Sequence, residues 1–115
     1  MKLLKKWGAD CDDAIERMMG DEAFYYSVLL KFYKSGEWKE LKEKIDKKVY
    51  TEAFRTAHDI KGVTSTLGLN PLVTSVSAVV EDLRTGPKTE EQMNRLDCDM
   101  ELFLKKIEEF CIMIE

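Results

Sequence analysis

The sequence predicts an all-α protein: an antiparallel, up-down-up-down four-helix bundle with a short extra helix at its N-terminal end. Three observations predict it. Apolar residues recur at helical spacing along most of the chain, proline occupies only two of 115 positions, and the periodic segments are joined by short runs of turn-forming residues. At this length one domain, 1–115, is expected, burying roughly two-thirds of the surface that its unfolded chain exposes. A core that needs no cofactor is feasible at that size. With 44% hydrophobic and 35% charged residues, the composition is that of a folded helical protein and not of a disordered one.

The elements follow in order. Leu3, Leu4 and Trp7 predict an opening helical turn that packs by those groups. Asp10 to Asp13 supply capping carboxylates for a short helix through Ile15, Met18 and Met19, which Gly20 ends. Asp21 is an N-cap for the next segment, and the whole N-terminal portion is expected to lie as a lid over one end of the bundle. From Glu22 to Lys48 there is no proline and a single glycine, so helix is the expectation. Its apolar stripes disagree, however. Tyr25, Val28, Leu29 and Phe32 share one side, whereas Trp38, Leu41 and Ile45 share another, offset by roughly half a turn at about 100° per residue. The slip falls at Ser35-Gly36, where a kink or a break would reconcile the two stripes. The expectation is a continuous helix bent at Gly36, with Phe24, Tyr26, Leu30 and Tyr33 filling the remaining positions of its first half.

Lys47-Lys48 end that helix with charges that suit its dipole. A helix from about 51 to 67 follows, with Gly68 as its C-terminal cap. Asn70-Pro71 is a start signal, asparagine at N-cap and proline at N1, for a helix over 71–85 with Leu72, Val76, Val79 and Leu83 inward. Valines are poor helix formers, so tertiary packing must hold this one. Gly86-Pro87 breaks the chain, and Thr89-Glu90-Glu91-Gln92 reads as a capping box. In the last helix Met93, Leu96, Met100, Phe103, Ile107, Phe110 and Ile114 form a coiled-coil-like seam of about three heptads.

The chemistry is concentrated in Ala57-His58-Asp59-Ile60-Lys61-Gly62-Val63-Thr64-Ser65-Thr66-Leu67-Gly68, which holds the only histidine in the chain. As a helix it sets Ala57, Ile60, Val63, Thr64 and Leu67 on one broad side and His58, Lys61, Gly62 and Ser65 on the other. The imidazole therefore points away from the core, as a nucleophile that is substantially neutral near neutral pH. Lys61, one turn along, brings an ammonium beside any anion attached to the ring. Gly62 costs roughly 0.8–1 kcal/mol inside a helix against alanine, and close approach of another molecule is a reason to keep it.

This stretch resembles the phosphoacceptor signature of histidine-containing phosphotransfer (HPt) domains, His-x-(Leu/Ile)-Lys-Gly with a small residue some ten positions on, here His58, Ile60, Lys61, Gly62 and Gly68. The resemblance covers most of the chain and implies one long helix over 22–48, its first half buried on several sides, and a phosphorelay carrier within two-component signal transduction. His58 would accept a phosphoryl group on Nε2 from the aspartate of a response-regulator receiver domain and relay it to another receiver. Lys61 would stabilise the phosphate; Phe54, Arg55, Gly62 and Ser65 would form the docking face. The chain itself would need no cofactor, since Mg²⁺ is expected on the receiver, and the partners would be receivers or a hybrid histidine kinase. One departure stands out: many HPt domains carry Glu or Gln near the imidazole, twenty-two positions after it, where this chain has Val80 followed by Glu81. Thr74 and Ser77 are the candidates left to orient the ring.

Other classes are excluded or disfavoured. A net charge of −4 speaks against nucleic acid as a partner. No run approaches the eighteen or so apolar residues of a membrane span, and the N-terminus lacks the apolar stretch of a signal peptide; a cytoplasmic monomer is expected. Cys11, Cys98 and Cys111 have no metal-binding or disulfide-framework spacing, so no metal site is expected. Without a glycine-rich phosphate loop or a second histidine there is no basis for kinase activity or another enzyme. The rival expectation is an HPt-like helical interaction module that binds a receiver without phosphorylation.

Overall fold

The computed structural model describes residues 2–115. Seven helices lie within them: α1 (Lys2–Trp7), α2 (Cys11–Arg17), α3 (Glu22–Ser35), α4 (Glu37–Asp46), α5 (Tyr50–Thr66), α6 (Asn70–Arg84) and α7 (Glu90–Ile114). No strand occurs among the described residues, as the all-α expectation requires. α5 packs between α4 and α6, α6 packs on α7, and α7 also touches α4 and α1. The 25 residues of α7 make a rod about 37 Å long, which runs along most of the 46 Å long axis.

The 22–48 segment is the main correction. It is two helices, separated at Gly36, whose φ of 61° and ψ of 27° are left-handed. A residue in that conformation cannot propagate a right-handed helix. The reversal re-aims α4, so both apolar stripes reach one core: Tyr25, Leu29 and Phe32 are buried, and so are Trp38, Leu41 and Ile45. Phe32 and Trp38 meet across the break with ring centroids 5.4 Å apart. Burial of α3 on several sides fails as well. Phe24, Tyr26 and Leu30 are exposed, and Tyr33 is half-buried with its hydroxyl donating to Glu115 Oε1 at 2.9 Å.

Local signals fare better. Asp10 caps α2 by accepting from Asp13 N at 3.1 Å, and Asp21 caps α3 by accepting from Phe24 N at 3.0 Å. The capping box at Thr89 and Gln92 is present in both directions. Leu72, Val76, Val79 and Leu83 are buried on α6, together with Val80. On α7, Leu96, Met100, Phe103, Ile107 and Phe110 are buried, with Met93 and Ile114 half-buried at the ends of the seam. Two details differ. The N-cap of α6 is Leu69, and Asn70, the first helical residue, donates its Nδ2 to Gly8 O at 3.2 Å instead. α2 stops at Arg17, because Met19 adopts φ 61° just beyond its end and projects into solvent, 96% exposed.

The N-terminal lid is held by polar contacts to the far ends of α5 and α7. Trp7 stacks on Phe110 with centroids 6.3 Å apart and donates from Nε1 to Glu109 Oε1 at 2.7 Å. Leu4 is buried there, whereas Leu3 is exposed. Carbonyls at the C-terminal end of α5 and just beyond it, where helical N–H partners run out, accept from residues earlier in the chain. Arg17 donates to Ser65 O at 3.3 Å, Tyr25 Oη to Leu67 O at 2.8 Å, and Asp10 N to Gly68 O at 2.8 Å. Among the described residues no helix is long and apolar enough to cross a membrane.

Candidate functional site

α5 is the helix that positions the histidine. Its inner side, Ala53, Thr56, Ala57, Ile60 and Thr64, is buried. The two threonines satisfy their hydroxyls within the helix, Thr56 donating to Glu52 O at 3.1 Å and Thr64 to Ile60 O at 2.8 Å. Small side chains on this side let α5 sit closely between its neighbours. The opposite face therefore stands in solvent. His58, Arg55, Gly62 and Ser65 are exposed, Lys61 and Phe54 are half-buried, and Val63 is half-buried at the edge of the core side.

Phe54 is turned partly inward. It packs against the core, and its ring lies 6.0 Å from that of His58 at an interplanar angle of 30°. Over the same phenyl ring sits the guanidinium of Arg84, its carbon 5.4 Å from the centroid, a cation–π contact from α6 to α5. Arg84 is held there by Glu81, with Nε to Oε2 at 3.2 Å and Nη2 to Oε1 at 2.9 Å. The Glu81 carboxyl is held below the usual range, first by its hydrogen bonds to Arg84 and the charge of that group, with Lys61 adding to it. Thus Lys61, Glu81 and Arg84 share one flank of the histidine, toward α6.

The other flank, toward α4, is acidic. Glu37 at the start of α4 has its carboxyl raised by burial and then by the charges of Asp59 and Glu40. On that side an apolar groove of about 520 Å³ lies between α3 and α5, lined by Phe24, Val28, Phe32 and Val63 together with Lys31 and Glu37. Gly62 itself borders open space: a Cβ built there meets nothing within 4 Å. Nothing inside the fold therefore demands glycine at that position.

Val80 is fully buried, so the position twenty-two residues after His58 offers the ring no polar partner. Neither substitute orients the ring. Ser77 donates to Val73 O at 2.6 Å within its own helix. Thr74 is exposed, and it precedes Arg84, the residue over Phe54, by about ten residues, or about 15 Å along α6. The contact that the imidazole does have is with Phe54. Arg84 was not singled out from sequence. Its i,i+3 spacing from Glu81 marks an exposed pair on α6, but only the packing of α6 on α5 brings that pair to Phe54. The cysteines are free thiols: Cys11 buried, Cys98 exposed and Cys111 half-buried. No family model, no curated protein and no solved structure matches this chain.

Proposed function

We propose that this protein is a phosphohistidine carrier of the HPt kind, built as an antiparallel four-helix bundle in which α3 and α4 form one broken column beside α5, α6 and α7. The observation that supports it best is an exposed His58 with an unobstructed Gly62 one turn away and cations on one flank. Phosphoryl transfer asks the protein for alignment and charge compensation more than for covalent chemistry. An imidazole nitrogen forms the N–P bond as the P–O bond of a receiver's aspartyl phosphate breaks, and the aspartate leaves as carboxylate. The receiver contributes Mg²⁺ and its acidic residues. Lys61, with Arg84 nearby, opposes the negative charge on the transferred group, and the groove lined by Val63 receives an apolar element of the partner. On this reading the protein is a cytoplasmic monomer without kinase activity that serves receivers or a hybrid histidine kinase.

The burial of Val80 favours a second reading, in which the same face docks a receiver and no phosphate moves. Incubation with a phosphorylated receiver separates the two. Acid-labile, base-stable phosphate on His58 is the expected result; a stable complex without it supports the interaction module.

Lys61→Ala is expected to slow transfer roughly 10- to 100-fold, or to shorten the phosphohistidine lifetime, without weakening docking, because one compensating cation is removed from the developing charge. Unchanged rates in both directions would remove Lys61 from the mechanism. At Gly62 stability and transfer should move in opposite directions. Alanine fits the open space and should stabilise the fold by up to roughly 1 kcal/mol. Glutamine should also fold, yet its side chain would stand between His58 and the partner, where a misplacement of about 1 Å can cost about 100-fold in rate. Melting curves and single-turnover transfer on the three proteins check this. Equal transfer by glycine and glutamine would show that the clearance is irrelevant.

A further inference from the structure

At the end of α6 nearest Arg84, Asp82 turns toward α7. One of its carboxylate oxygens, Oδ2, is buried with no hydrogen-bond partner among the described residues. Leaving such an atom unsatisfied as an anion is costly. The carboxyl that faces Asp82 across the interface is that of Asp99 on α7. The other candidates are occupied or turned away. Gln92, fixed by Oε1 accepting from the backbone of Lys88 and Thr89, makes no hydrogen bond from its Nε2 to this oxygen. Arg95 is 61% exposed and leans toward Glu91 of its own helix, 3.9 Å away. The charged groups that face Asp82 are thus Asp99 and Arg95 from α7 and Glu81 from its own helix, and α5 contributes none. A small polar pocket of about 100 Å³, lined by Asp82, Thr85, Gln92 and Arg95, lies on the other side of Asp82, between the end of α6 and the first turns of α7.

We propose that Asp82 and Asp99 hold one proton between them across the α6–α7 interface, so that this fold is tightened by a proton and loosened when it leaves. Two carboxylates that face each other, one with a buried and unpartnered oxygen, cannot both ionise cheaply, whereas a single proton lets one donate to the other in a strong, charge-assisted bond. Both the buried oxygen and the like-charge contact are then accounted for. Burial first, and then Asp99, push the Asp82 carboxyl up to about 7, with Arg95 acting weakly against them. The inference does not rest on the phosphotransfer reading. It does bear on the same face, because Glu81 and Arg84 flank Asp82, and a looser turn there loosens the guanidinium over Phe54.

The sign follows from linkage. The folded carboxyl binds its proton more tightly than the ordinary aspartate of the unfolded chain, with its value of 3.8. The stability is therefore complete below that value and is lost as pH rises through neutrality. Across this window the unfolding equilibrium constant rises by up to about tenfold per pH unit. Urea unfolding of the full chain between about pH 5 and about pH 8.5, for the parent, Asp82→Asn and Asp99→Asn, tests it. Each amide variant is expected to have a profile flatter than the parent's by at least about tenfold over the range, since the difference cancels every other titrating group. Parallel profiles would overturn the proposal. The parent's Asp82 carboxyl can also be titrated directly by carbon-13 NMR: a midpoint near neutrality supports the shared proton, and one below about 5 overturns it even where an amide variant fails to fold.

Discussion

His58→Gln is expected to abolish phosphoryl acceptance completely while the domain stays folded. Glutamine has no nucleophilic ring nitrogen, and no second histidine exists in the chain to replace it. The side chain is exposed, and surface substitutions usually shift stability by no more than about 0.5 kcal/mol. The one contact at stake is the ring of Phe54 at 6.0 Å. Aromatic pairs contribute about 0.5–1.5 kcal/mol, and solvent exposure puts this one at the lower end. Circular dichroism and melting should therefore nearly match the parent, with no acid-labile label after exposure to a phosphorylated receiver. Residual label at the parent's level would place the acceptor elsewhere, and a large loss of stability would contradict the exposed face of α5.

Gly68→Ala is expected to be the most damaging single methyl in the protein. Gly68 ends α5 in the left-handed region, with φ 69°, and its neighbours form both bonds of a Schellman cap: Gly68 N to Ser65 O at 3.1 Å and Leu69 N to Thr64 O at 3.0 Å. The conformation alone costs an L-residue about 1–2 kcal/mol. In addition, a Cβ there would collide with the carbonyl oxygen of Asp10, a backbone atom that cannot swing aside. Relief requires parting the chain where Asp10 N donates to Gly68 O, which adds overpacking strain of about 1–3 kcal/mol. A total near 3 kcal/mol is a large share of a typical stability of 5–15 kcal/mol and corresponds to a fall in Tm of roughly 10–20 °C. Gly86→Ala is the control, for Gly86 has φ 74° with open space around its Cβ position, so it isolates the conformational cost. A Gly68→Ala loss no larger than that of Gly86→Ala would show that the junction of α2 with α5 yields easily.

These two glycines and Gly62 show what kind of information each level holds. From the sequence a glycine in a helix and a glycine after one are separable by their place in the pattern, and that was enough to put Gly62 beside His58 and Gly68 at a cap. That Gly62 faces empty space while Gly68 faces the backbone of Asp10 is a long-range fact, invisible to any local rule. The same division runs through the α3–α4 segment. Its two stripes and the slip at Ser35-Gly36 were legible, yet bend and break share one pattern, and only the packing of Phe32 on Trp38 and of both stripes on one core selects the break.

By itself the sequence determined the all-α class, the caps at Asp10, Asp21 and Thr89, the inner faces of α5, α6 and α7, and the outward direction of His58. These depend on periodicity and on side-chain chemistry within one or two turns of helix, which the order of residues encodes directly. Tertiary structure alone decided that Val80 is core, that Arg84 reaches Phe54 from α6, that Phe24, Tyr26 and Leu30 stay in solvent, and that Asp82 meets Asp99. Each of these depends on the distance and rotation between helices. That geometry is set by how whole faces interdigitate, and no short stretch of chain carries it.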